Sequence, residues 1–160
     1  MATKYIEIFL EKIDKNYFLE TINNKKICHY QTDECNYYSK YDYGSKKINQ
    51  NEFNEKIYKN YNCVIMLKEF SILNFEIEKI QLIVQQNENA IDVTFNFDEE
   101  LLFSENKKLL LDILCKKNKL TKDKKIYMGY EPVEDKDMQS LMIFNGEITW
   151  INDKDTFWNT

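Results

Sequence analysis

The sequence predicts an α+β fold: an antiparallel sheet built from hairpins and a meander, with helices packed on one face. Three stretches carry that prediction. In AIDVTFNF (90–97), Ile91, Val93, Phe95 and Phe97 alternate with Asp92, Thr94 and Asn96, and a period of two puts one apolar face on a strand. In SLMIFNGEITWI (140–151), Asn-Gly separates two apolar runs, and these residues accept the positive φ values of a type I′ hairpin turn. Over 105–118, Leu109, Leu110, Ile113 and Leu114 recur at helical spacing. Strands that meander between helices, without a strict βαβ alternation, favour α+β over α/β.

Taken in order, KYIEIFLEKI fits two periods. Tyr5, Ile6, Phe9, Leu10 and Ile13 suit a helix, while Tyr5-Ile6 and Ile8-Phe9-Leu10 suit an apolar strand. Asp14 is placed to cap a helix over 15–23 with Tyr17, Phe18 and Ile22 inward. Residues 28–47 are polar and tyrosine-rich, and read as a long loop or an irregular strand pair. A helix follows, capped by Asn49 or Asn51, with Phe53, Ile57, Tyr58 and Tyr61 on one face. CVIMLKEF (63–70) reads as a short apolar strand, and EIEKIQLIV (76–84) pairs with 90–97 across Gln-Gln-Asn-Glu-Asn. Ser104 caps the 105–118 helix, KIYMGY (125–130) gives a strand, and 140–144 and 147–151 form the last hairpin. No repeat, linker or low-complexity tract interrupts the 160 residues, so residues 1–160 are expected to form a single globular domain.

Composition excludes more than it assigns. No run approaches the roughly 18 apolar residues of a membrane span, and acids arrive too early for a secretory signal, so a cytoplasmic location is expected. In that compartment Cys28, Cys35, Cys63 and Cys115 are expected as free thiols. All 22 basic residues are lysine, so no guanidinium fork is available to clamp a phosphate. The net charge is −5, and residues 131–160, with seven acids against two lysines, hold the whole excess. A nucleic-acid binder usually carries basic excess, and neither nucleic acid nor membrane is expected as a partner.

The catalytic menu is short. His29 is the one histidine, and its neighbour Cys28 would point to the opposite face of an extended segment, which disfavours a Cys-His pair. Three glycines cannot supply the usual phosphate-binding loops, and no metalloprotease or EF-hand pattern occurs. Cys28, His29 and Cys35 share a segment but lack zinc spacing. No cofactor is expected.

One stretch stands out. YMGYEPVEDKDMQ (127–139) holds the only proline and sets Glu131, Glu134, Asp135 and Asp137 within seven residues. Those carboxylates suit a hard cation, and Glu134-Asp135-Lys136 matches the acid-x-Lys element of metal-dependent nucleases, which would make the chain a hydrolase. They also suit a solvated turn. A third reading is a partner-binding loop, in which the acids steer a basic protein surface and Tyr127, Tyr130 and Met138 anchor it. Near the end, Trp158 is either a further anchor or a cover for the sheet edge. Tyr30, Tyr37, Tyr38, Tyr41 and Tyr43 could instead stack a ligand, the reading of a non-catalytic adaptor domain.

The segment GYEPVEDKDMQ, with the length and the α+β pattern, resembles the small cytoplasmic immunity proteins of bacterial polymorphic-toxin and contact-dependent growth inhibition systems. The likeness covers about eleven residues. It implies a non-enzymatic inhibitor that binds a cognate toxin C-terminal domain, often a nuclease, and carries no active site of its own. The partner-binding residues expected here are Tyr130, Glu131, Glu134, Asp135, Asp137, Met138 and Trp158.

Overall fold

A computed structural model describes residues 4–39, 44–102, 106–110, 112, 126–130, 140–144 and 148–150. In chain order the elements are β1 (Tyr5–Ile13), α1 (Lys15–Asn23), β2 (Cys28–Tyr38), β3 (Lys46–Lys47), α2 (Phe53–Tyr58), β4 (Asn62–Ile72), β5 (Phe75–Asn87) and β6 (Ala90–Asp98). Then come β7 (Ile126–Tyr130), β8 (Ser140–Phe144) and β9 (Ile148–Trp150). A helical stretch at 106–110 precedes β7. The pairing is antiparallel and helices are the minor component.

The chain forms two compact units, Lys12–Phe95, and Met1–Glu11 with Asn96–Thr160. In the first, the strand order is β3-β2-β4-β5-β6. Cys63↔Val84, Ile65↔Leu82 and Leu67↔Ile80 are cross-strand partners, and all six side chains are buried. The buried phase slips beyond Leu67, so that Phe70 is the next buried residue. Glu69, between them, has φ 49°, and a residue in that region breaks strand alternation as a bulge does. The β2–β4 register shifts there, between His29↔Ser71 and Gln31↔Lys68, and once more between Thr32 and Glu34, where the extra residue, Asp33, lies in β2.

Helix α1 starts where the sequence places it. The Asp14 carboxylate accepts from the Tyr17 backbone N–H at 2.9 Å, which satisfies one of the orphan donors of the first turn. Phe18, Leu19 and Ile22 are buried, while Tyr17 is only half-buried. Phe18 meets Phe53 of α2 edge to face, with ring centroids 6.5 Å apart.

Of the two readings of KYIEIFLEKI the strand holds, and of the two readings of 28–47 the irregular strand pair holds, β2 with β3 antiparallel. Other expectations need correction. Helix α2 has six residues: Phe53 and Ile57, one turn apart, are buried, but Tyr58 is 55% exposed and Tyr61 lies beyond the helix. A stripe reaching Tyr61 would need a further turn, and the chain leaves the helix at Lys59 with Asn60 at φ 65°. No asparagine caps it by side chain; the helix is led in by a 3-10 turn, Gln50–Glu52, closed by Glu52 N–H to Asn49 O at 3.0 Å. The β5–β6 connection is two residues, Glu88 and Asn89, because β5 runs on to Asn87.

In the second unit the order is β1-β7-β8-β9. β7 is an inner strand, and Ile126, Tyr127, Met128 and Gly129 are all buried. Burial on both faces is why its sequence reads as a continuous apolar run instead of alternating. Ile8↔Met128 and Phe9↔Tyr127 are partners, and the Phe9 and Tyr127 rings lie 6.4 Å apart. Met142↔Trp150 and Phe144↔Ile148 pair β8 with β9 as a hairpin, but the register corrects the expected two-residue Asn-Gly turn, which would set Phe144 opposite Glu147: three residues separate the paired ends. Most of the 105–118 helix, including Ser104, Ile113 and Leu114, lies outside the described residues, as does Cys115.

Candidate functional site

Of the expected contact residues, Tyr130 is described. Glu131, Glu134, Asp135, Asp137, Met138 and Trp158 lie outside the described residues. Tyr130 closes β7, opposite Ile6 of β1, so strand pairing fixes the point from which the acidic segment departs. Around it the structure gathers residues that the sequence did not mark. The Tyr130 hydroxyl donates to Glu99 Oε1 at 2.7 Å. The Glu99 backbone N–H donates to Lys4 O at 2.9 Å. The Lys4 ammonium lies 5.2 Å from the Tyr130 ring centroid, within the range of a cation–π contact.

Glu99 owes its place to a 3-10 turn, Glu99–Leu101, which Asp98 caps by accepting from the Glu100 N–H at 2.9 Å. Lys107, in the helical stretch that follows, is 1% exposed. Burial pushes its ammonium pKa down, and the negative charge of Glu99 pushes it back up. Glu99 therefore bonds a phenol while its field supports a buried ammonium. Chemically, the arrangement offers a half-buried aromatic face beside a fixed carboxylate, a combination suited to holding a cation and lacking a nucleophile–base pair.

The tyrosine-rich segment is differently employed. Tyr37 meets Tyr61 edge to face at 5.1 Å, and the Lys56 ammonium sits 4.2 Å over the Tyr37 ring. Those contacts engage the Tyr37 ring, and Tyr30 and Tyr38 are half-buried on the same strand. Tyr41 and Tyr43 lie outside the described residues. His29 is exposed and Cys28 buried, on opposite sides of β2. Beside that strand is a polar groove of about 420 Å³ lined by Asp33, Glu34, Lys47 and Glu52. Its acids are already engaged, Asp33 with Lys68 at 3.2 Å and Glu34 with Lys47 at 3.6 Å.

Cys28, Cys35 and Cys63 are buried free thiols. Burial raises the first two from the ordinary value to about 11, with Glu52 adding to the effect at Cys35, and Cys63 to about 12. They are packing groups, not nucleophiles. Among the described residues, no group of three or more His, Cys, Asp or Glu could hold a metal ion, and no helix is long and apolar enough to cross a membrane.

Fold and site together define an antiparallel-sheet protein with minor helices and a tyrosine–carboxylate–lysine cluster at one strand end. The chain belongs to the PABL017 Cdi1I immunity protein family, whose model matches residues 4–145. Among solved structures, the chain is similar to one in the crystal structure of the toxic C-terminal tip of CdiA from Pseudomonas aeruginosa in complex with immune protein. The TM-score is 0.61 at 16% identity, over 92% of this chain and 98% of that one. A search of curated protein sequences returns no significant match.

Proposed function

We propose that this chain is an immunity protein that binds a cognate toxin C-terminal domain and neutralises it by direct protein–protein contact. The family match over residues 4–145 is the observation that carries the reading. The solved relative, described as a CdiA toxic tip with its immune protein, supports the same kind of partner. In this account the protein is a non-enzymatic inhibitor acting in the cytoplasm, and needs no cofactor. Its 160 residues work as one globular domain, with the helices covering one face of the sheet. The contact residues are Tyr130, Glu131, Glu134, Asp135, Asp137, Met138 and Trp158. Carboxylates attract a cationic partner over a distance, and the aromatic side chains supply the buried anchors.

The test is co-expression with a toxin C-terminal domain sought in the reading frame adjacent to the gene for this chain. Growth rescued by the chain, together with co-purification of the two proteins, is the expected result. Toxicity undiminished by ample soluble chain, with no complex formed, overturns the reading.

A further inference from the structure

We infer that the Tyr130 ring, held beside Glu99, is a receptor for a lysine or arginine side chain of the partner, and that Lys4 occupies that receptor in the free protein. This deepens the immunity reading and rests on it. Three observations meet here. The Tyr130 hydroxyl is bonded to Glu99, which fixes the tilt of the ring while leaving the residue half-exposed. The site already holds a cation, because the Lys4 ammonium stands 5.2 Å from the ring centroid. Lys4 is exposed, so a cation arriving from solvent reaches the aromatic face on which the Lys4 ammonium lies, beside the Glu99 carboxylate that the Tyr130 hydroxyl bonds.

The energetics allow exchange. A solvent-exposed cation–π contact shifts an equilibrium only about 2–5-fold, so an intramolecular lysine on this ring is easily displaced. A partner side chain desolvated at an interface gains more from the same face, up to about 30-fold. Lys4 then acts as a placeholder: it keeps the ring occupied in the free protein and weakens binding by the cost of its own displacement.

The experiment is titration of the toxin C-terminal domain into the wild-type chain and into Lys4→Gln and Tyr130→Leu variants, each checked for an intact melting transition. Lys4→Gln is expected to tighten binding about 2–5-fold, the equivalent of the displaced contact. Tyr130→Leu is expected to weaken it at least about 5-fold. If Lys4→Gln fails to tighten binding, or Tyr130→Leu fails to weaken it, the inference is overturned. Lys4 is on the surface, so its variant decides the question even where Tyr130→Leu does not fold. A wild-type chain that does not bind the toxin domain at all sinks the immunity reading itself, a separate outcome.

Discussion

The Tyr130 hydroxyl and Glu99 Oε1, 31 residues apart in sequence, are joined by a hydrogen bond of 2.7 Å. The bond ties the end of an inner strand to the 3-10 turn that follows β6. A hydrogen bond to a charged acceptor contributes about 1.5–3 kcal/mol, less where solvent competes. Tyr130→Phe should therefore cost about 1.5 kcal/mol, read as a fall in Tm of roughly 3–6 °C. Glu99→Gln should cost more, because it also removes the carboxylate whose field supports the buried Lys107 ammonium. Equal Tm values for wild type and both variants would show that the contact carries no stability.

The β4–β5 turn is strained by its own sequence. Leu73 and Asn74 have φ of 49° and 70°, the type I′ signature, and a leucine in that region costs about 1–2 kcal/mol. Leu73 is also 37% exposed, so it recovers little by burial. Its backbone N–H donates to Ile27 O at 2.9 Å, a bond that any non-proline residue keeps. Leu73→Asn should stabilise the protein by about 0.5–1 kcal/mol, seen as a higher denaturant midpoint at unchanged m. A lower midpoint would mean that Leu73 packs to an advantage exceeding the strain.

Removing the α1 cap should be felt. Asp14→Ala leaves the Tyr17 N–H without its side-chain acceptor, at a cost of about 1 kcal/mol. Asp14→Asn and Asp14→Ser keep an acceptor and should restore most of that loss in chemical denaturation. Equal losses in all three variants would point away from capping.

The buried thiols give a pH dependence with a definite sign. In the folded state Cys28 and Cys35 titrate near 11 and Cys63 near 12, against an ordinary value of 9.0. The unfolded chain thus loses these protons first as pH rises, and stability that is fully present below about pH 9 declines between 9 and 12. A Cys28→Ala, Cys35→Ala, Cys63→Ala triple variant should lose part of that alkaline decline, measured as Tm against pH relative to its own value at pH 8. An unchanged slope would assign the decline to other groups, the lysines first among them.

The features that were legible in the sequence are local. Asp14 and the helix behind it, the 90–97 strand and the β8–β9 hairpin each declare themselves within a dozen residues, and the structure bears out these elements, while Thr94 is buried, Phe95 is half-buried and the hairpin register is one residue off a two-residue turn. β2 was harder to read, because an extra residue at Asp33 breaks its period and only Cys28 and Cys35 of its side chains are buried. The β4–β5 turn carries no glycine, so only its geometry identifies it. The Glu99–Tyr130–Lys4 cluster joins three distant segments, and no spacing rule announces such a meeting. Lys107 was hidden for a related reason: in a lysine-rich stretch nothing local distinguishes the one that folding buries. The acidic stretch from Glu131 to Asp137, Met138 and Trp158, lies outside the described residues and stands as a proposal on charge and resemblance alone.

Stopped-flow association with the toxin C-terminal domain tests the central claim most directly, comparing the wild-type chain with a Glu134→Ser, Asp135→Ser, Asp137→Ser variant across a salt series. The account predicts a saturable complex whose association slows in the variant and whose rate depends less steeply on ionic strength, while dissociation changes little. No complex with the wild-type chain at any salt concentration would contradict the account.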